Sequence, residues 1–282
     1  MNELPLSILR SVRTYEPIIT DGLTLYPVLV EEYDSFLIAR TALEVLHQSL
    51  PVAMMRIPLL SALYQMDYEA AASGKTPTGL FSRALLALAL ALRLGQGKEP
   101  VERVGLFQLA AERDKPQTLA CLRFLDESGE TKEIKPAQFN LLRQIIAAQN
   151  GVKLESDTAN PDLVKAQKLM ASANAMPLDA NIDDLIAAVA ALSGAEESDI
   201  IGWPILKLEK RSDSYRRILD YLVCGVGEVS GTTWKGGNPN PHPFFKRIRD
   251  GNGVLSVIGG TADGSTKTAP KAQEIYQQSR NL

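Results

Sequence analysis

The sequence predicts a mainly α-helical fold with a short N-terminal extended segment, a small central β-hairpin and a flexible C-terminal tail. Three observations carry that reading. Apolar residues recur at helical spacing in several separate stretches. Two short runs near the middle, Leu122/Phe124 and Lys132/Ile134, flank a turn sequence containing Gly129. After Gly225 the chain is rich in Gly, Asn, Pro and Thr as far as Pro270.

In chain order, residues 1–29 read as extended and irregular. Tyr15, Ile18, Ile19, Leu23, Leu25, Val28 and Leu29 are interrupted by Pro5, Pro17, Asp21-Gly22 and Pro27, which suggests one short hairpin. From Val30 the spacing turns helical, with Tyr33, Phe36, Leu37, Leu43, Leu46 and Leu50 on one side. Pro51 and Pro58 break the run before it resumes from Leu59 to Met66. Thr76-Pro77 opens an apolar helix from Leu80 to Leu94, closed by Gly95. Its most apolar run, Ala84 to Leu92, is far shorter than the ~20 residues that span a bilayer and reads as a buried core helix.

Gly95 to Pro100 and Asp114-Lys115-Pro116 bracket a modest helix. The central hairpin follows, and Pro136 then starts a helix carrying Phe139, Leu142, Ile145 and Ile146 that stops at Asn150-Gly151. Asn160-Pro161 opens a further helix, and Asn181 with Asp184 forms a capping box for the helix ending at Gly194. Helical stretches over Glu196–Gly202 and Pro204–Cys224 follow, with a last short one over Lys271–Arg280. The expected organisation is an N-terminal extended and helical subdomain over 1–95, a connecting segment over 96–118, a hairpin-plus-helix subdomain over 119–249, and a tail over 250–282.

Composition narrows the function. A 45% hydrophobic and 22% charged chain is an ordinary globular balance, and a net charge of -3 gives no bulk attraction for nucleic acid or an anionic membrane. Only Cys121 and Cys224 are present, far apart, which suggests neither a disulfide framework nor a zinc site. The N-terminal residues lack the long apolar region of a secretion signal, so a cytoplasmic location is expected.

Enzyme signatures nearly form and fail. Gly259 to Thr266, GGTADGST, has phosphate-loop spacing but places Ser265 where a lysine must reach the phosphates. Gly225 to Gly231, GVGEVSG, follows a helix and reads as a helix stop. His47 sits in the helical run beside Leu46, and His242 has no identifiable nucleophile near it in sequence. The acid pairs Asp183-Asp184 and Glu196-Glu197 fall in first turns, where they favour the positive end of the helix dipole. The expectation is a protein that is no enzyme and takes no cofactor or metal.

What remains is the amphipathic stretch from Trp203 and the loop after it. Ile205, Leu208, Tyr215, Ile218, Leu219, Leu222 and Val223 are expected to pack inward, with Lys207, Lys210, Arg211, Arg216 and Arg217 facing out. In the loop from Gly231 to Arg247, Pro239, Pro241 and Pro243 alternate with Asn238, Asn240 and His242, which leaves no helix or strand possible there. That loop holds Trp234, Phe244 and Phe245 among Lys246, Arg247 and Arg249. Either these aromatic rings fold back on the domain or they meet another protein. The expected partner-binding residues are Trp234, His242, Phe244, Phe245, Lys246, Arg247, Arg249, Lys210 and Arg211. The basic residues of the helix are mixed with Glu209, Asp213 and Asp220 and lack interleaved aromatics, so a nucleic-acid partner is not expected.

The order of these phrases resembles a known family. The entry from Tyr15 to Val28, the segments KPAQFNLLRQIIAAQNG and ANPDLVKAQKLM, and DIIGWPILKLEKR followed by a closing Trp234 look like the tail assembly chaperones and associated tail proteins of long-tailed bacteriophages and prophages. The resemblance spans roughly residues 15 to 247 and rests on structural phrases. It implies a mostly helical, non-enzymatic protein of the host cytoplasm, binding the tape-measure or tail-tube protein during tail assembly. The alternatives are a structural tail component or an enzyme with an unrecognised carboxylate site, and the residues leave a homo-oligomer open. The chain is long for such chaperones, and its Gly/Thr-rich tail departs from them.

Overall fold

In a computed structural model, residues 4–112, 115–126, 128–155 and 181–231 are described, together with the single positions 162, 166 and 169. The fold is mainly helical with two small antiparallel sheets. The chain divides into two compact units, Met1–Pro161 with Ala195–Glu209, and Asp162–Gly194 with Lys210–Leu282.

The first unit opens with a helix the sequence reading missed. Pro5 does not break the chain but precedes α1, Leu6–Thr14, with the Leu9 amide donating to the Pro5 carbonyl at 3.1 Å. Leu4, Ile8 and Val12, one per turn, pack on the core. The expected hairpin then appears: β1, Ile18–Thr20, pairs with β2, Leu23–Leu25, in the register Ile18↔Leu25. Asp21 and Gly22 take φ of 49° and 73°, the two left-handed positions that a tight hairpin turn needs.

The helix expected from Val30 to Leu50 is shorter in fact. A 3-10 turn over Val30–Glu32 leads into α2, Tyr33–Leu43, and His47 lies in a separate 3-10 turn over His47–Ser49. The reason is a tertiary cap: the buried Arg143 side chain donates to the carbonyls of Leu43 and Val45 at 2.5 and 2.7 Å, which ends the helix there.

α3, Leu59–Ala72, and α4, Leu80–Ala91, form the centre. Every residue from Ala84 to Ala91 is buried, as a helix apolar all round must be. The start of α4 is made by Asp67 of α3 rather than by Thr76-Pro77: its carboxylate accepts from the Thr78, Gly79 and Phe81 amides and from the Thr78 hydroxyl. The stop also falls earlier than expected. Arg93 itself takes φ of 55°, with its amide on the Leu90 carbonyl at 3.1 Å and the Leu94 amide on Ala89 at 2.9 Å, two residues before Gly95.

The modest helix expected near residue 100 is α5, Pro100–Val104, only one turn long. After it β3, Gln108–Glu112, adds to β4, Lys115–Leu125, and β5, Thr131–Ile134. The central hairpin is therefore part of a three-stranded sheet ordered β3-β4-β5, with Phe124 opposite Lys132. Asp126 closes the β4–β5 turn by accepting from the Ser128 and Glu130 amides, each at 2.9 Å. α6, Phe139–Gln149, follows a 3-10 turn begun by Pro136 and stops at Gly151 with φ of 73°, as the sequence predicts.

Polar pins tie distant segments of this unit together. The Val28 amide donates to Asn150 Oδ1 at 2.9 Å, and Gln149 Nε2 to the Leu25 carbonyl at 3.1 Å. Residues 28–30 meet 203–205 through Val30 N to Trp203 O at 2.8 Å and Ile205 N to Val28 O at 3.0 Å. α7, Ile182–Ser193, belongs to the second unit and carries the expected capping box, with the Asp184 amide on Asn181 Oδ1 at 2.8 Å. α8, Glu197–Ile201, lies in the first unit. α9, Ile205–Val229, passes through Gly225 and Gly227, five residues past the expected end at Cys224, and stops inside GVGEVSG, with Gly231 at φ of 86° just beyond the helix end. The helix opened by Asn160-Pro161 falls almost wholly outside the described residues, as do the phosphate-loop-like segment and the tail.

Candidate protein-contact surface

Of the residues singled out for partner binding, Lys210 and Arg211 are described, both exposed on α9. Trp234, His242, Phe244, Phe245, Lys246, Arg247 and Arg249 lie outside the described residues. The candidate surface is therefore built here from α9, whose residues from Lys210 onward belong to the second unit.

The first turn of the helix behaves as expected, with Ile205, Leu206 and Leu208 buried in the first unit. Beyond it the expected orientation is reversed. Leu219, Leu222, Val226 and Val229 are 46%, 53%, 68% and 92% exposed, and Val223 beside them is exposed as well. With Tyr215 these residues follow one another at alternating four- and three-residue steps, the spacing of a continuous apolar seam. The sheltered side of the helix instead carries Asp213, Arg217, Asp220 and Cys224 at the same spacing, Cys224 being buried.

Charge explains how a polar side can be sheltered. Asp213 accepts from Arg216 at 2.7 Å and from Arg217, one turn on, so one carboxylate serves two guanidinium groups within the helix and the cluster keeps a net positive charge. Burial pulls the Asp213 carboxyl up, but the hydrogen bonds and charges of the two guanidinium groups outweigh it and hold it below the usual carboxylate range. The apolar side presents a stripe of branched aliphatic residues with Arg211 and Arg216 beside its N-terminal half.

Glu209 marks the change of character along the helix. Its carboxyl end is crowded against Gly151, where an added Cβ would meet Oε2 at 2.6 Å. That desolvation pushes the Glu209 carboxyl up, and Arg40 opposes it with a smaller downward pull. Within the first turn of α9, Lys207 holds its ammonium 3.8 Å over the Trp203 ring.

Sequence reasoning named Leu219, Leu222 and Val223 as inward-facing and did not single out Val226 or Val229. The 4-3 spacing was readable in both directions, because a stripe that packs on its own domain and one that docks a partner have the same period. Elsewhere, no helix among the described residues is long and apolar enough to cross a membrane, and no group of three or more His, Cys, Asp or Glu among them is placed to hold a metal. His47 Nε2 is enclosed without a hydrogen-bond partner. No protein-family model matches the sequence, and no curated protein or solved structure matches it.

Proposed function

We propose that the protein is a non-enzymatic assembly factor of a long-tailed phage tail, acting in the host cytoplasm by binding an amphipathic helix of the tape-measure or tail-tube protein. The observation that supports a binding role is the exposed apolar seam of α9 from Leu219 to Val229. The partner class comes from the sequence resemblance alone. Charge sets the chemistry of the bound segment: Arg211 and Arg216 flank the seam, so the complementary helix carries acidic residues beside its own apolar stripe.

Co-expression tests the reading. The full chain is produced with the tape-measure or tail-tube protein encoded beside it, and the soluble yield and co-purification of that partner are measured. The wild type should keep the partner soluble and co-purify with it, and a Leu222→Asp, Val226→Asp double variant should lose both while keeping its own melting temperature. Equal capture by the variant removes α9 as the contact surface. Absence of tail genes beside this one, or no effect of the wild type on either tail protein, rejects the phage-tail role. Stoichiometric recovery of the chain in purified tails would assign it to the finished particle instead of to assembly.

A further inference from the structure

Arg93 occupies a seat usually taken by glycine. It is the left-handed residue that ends α4, where a side chain with a Cβ is disfavoured, yet the residue present is the bulkiest cation available. Its guanidinium carbon lies 4.2 Å from the centroid of the Tyr26 ring, and its enclosed Nε has no hydrogen-bond partner. No carboxylate pairs with it among the described residues. Arg103 and Arg217 also leave one enclosed nitrogen unpartnered, but each sheltered arginine other than Arg93 holds an acceptor: Arg103 holds Glu32 and the Lys98 carbonyl, Arg143 holds two carbonyls, and Arg217 holds Asp213. A partly buried guanidinium that finds no acceptor among the described residues is a departure from the rule that sheltered polar groups are partnered.

Arg93 also lines an open cleft of about 280 Å³ above the three-stranded sheet, with Leu106, Gln108, Arg123, Phe124 and Thr131. The one acid on its rim, Asp126, is already committed. Its Oδ1 accepts from Ser128 and Glu130, and its Oδ2 lies 3.6 Å from Lys132 Nζ. Arg123 pairs with Glu133 at 3.3 Å, but both side chains are well exposed, so that pair exchanges for another acceptor at little cost. The uncompensated charge of the cleft is therefore that of Arg93.

From this arrangement we infer that the cleft is a binding site for a small ligand bearing an oxyanion group, a carboxylate or a phosphate, held by Arg93. The planar fork takes two oxygens of such a group at once, which a lysine cannot. Gln108 and Thr131 supply neutral donors, and Phe124 with Leu106 offers an apolar wall for the ligand's carbon frame. The cleft's size, near the lower end of the ~300–1,000 Å³ range of ligand pockets, restricts the ligand to a small molecule. The site lies wholly in the first unit and is independent of α9 and its partner.

The test is a titration of the full chain followed by amide nitrogen–proton correlation spectra, with sodium phosphate and sodium acetate in separate arms at ionic strength held constant by sodium chloride. Saturable shifts at Leu94, Gly95, Gln108, Arg123 and Thr131 are expected, half-complete at millimolar concentration in at least one arm. The arm that saturates first identifies phosphate or carboxylate as the preferred group. In Arg93→Gly, which suits the left-handed backbone, those shifts should disappear while the spectrum stays folded, and in Arg93→Lys they should weaken several-fold. Should the glycine variant not fold, the lysine variant carries the test alone. The inference is overturned if neither anion gives saturable shifts below about 50 mM, or if the substituted protein titrates like the wild type.

Discussion

α4 and the distal half of α9 are both rich in aliphatic residues, and they use them in opposite ways. From Ala84 to Ala91 α4 is enclosed on every side, packed against α2, α3, α5 and α6. From Leu219 to Val229 α9 leaves its aliphatic seam open and shelters charged residues instead. The difference lies in what surrounds each hydrophobic stretch, not in how hydrophobic it is. α4 has no polar side to give to water, so burial is its only stable state. α9 has Asp213 to pair with Arg216 and Arg217, so charged residues can lie on its more sheltered side.

Truncation separates the two helices most sharply. Leu88→Ala should cost about 2–5 kcal/mol in urea unfolding of the full chain, because Leu88 is fully buried and leaves a cavity. Leu222→Ala should cost no more than about 0.5 kcal/mol, as for a surface position. Comparable losses at the two sites would mean that the α9 seam is covered in solution and would remove the basis for a docking surface.

The polar ends of the packed helices come next. Arg143→Met removes the donors that hold the Leu43 and Val45 carbonyls and should lower stability by about 1.5–3 kcal/mol, with α2 the first helix to lose amide protection in hydrogen exchange. Asp67→Ala strips the start of α4 of its acceptor and should cost about 1–2 kcal/mol, while Asp67→Asn, which keeps one acceptor oxygen, should cost less. An Ala variant as stable as the wild type would show that α4 is held by its apolar surface alone.

The smallest effect probes the point where α9 changes character. Burial raises the Glu209 carboxyl above its ordinary range, so the folded protein holds that proton to higher pH than the unfolded chain does. Stability from this group is therefore greatest in acid and falls as pH rises from the ordinary carboxylate value through the raised one. Glu209→Gln removes that fall, and its melting temperature relative to the wild type should increase from pH 4 to pH 7. A flat difference across that range would show that Glu209 is fully solvated.

Much of the fold is legible in the residues. The Asp21-Gly22 turn, the helix stops at Gly151 and Gly194, the Asn181–Asp184 box and the β4–β5 hairpin are local events, each fixed by backbone preferences within a few residues. Misreadings fell where the deciding partner is far away in sequence. α2 stops at Leu43 because of Arg143, and α4 starts where it does because of Asp67. α1 is hard to read for a different reason: its stripe of Leu4, Ile8 and Val12 is only three residues long, and Pro5 in sequence reads as a break.

By itself, then, the sequence determined where helices can form, the local caps at Asn181, Gly151 and Gly194, and that the chain is mainly helical, because torsional preference and hydrophobic period act over one or two turns. Tertiary structure alone decided that β3 joins the hairpin, that Arg93 takes a left-handed conformation beneath an open cleft, and that the aliphatic seam of α9 faces outward. The period of a helix states which residues share a side but not which side meets the core. That choice depends on the summed burial and charge compensation of neighbours brought together only by folding.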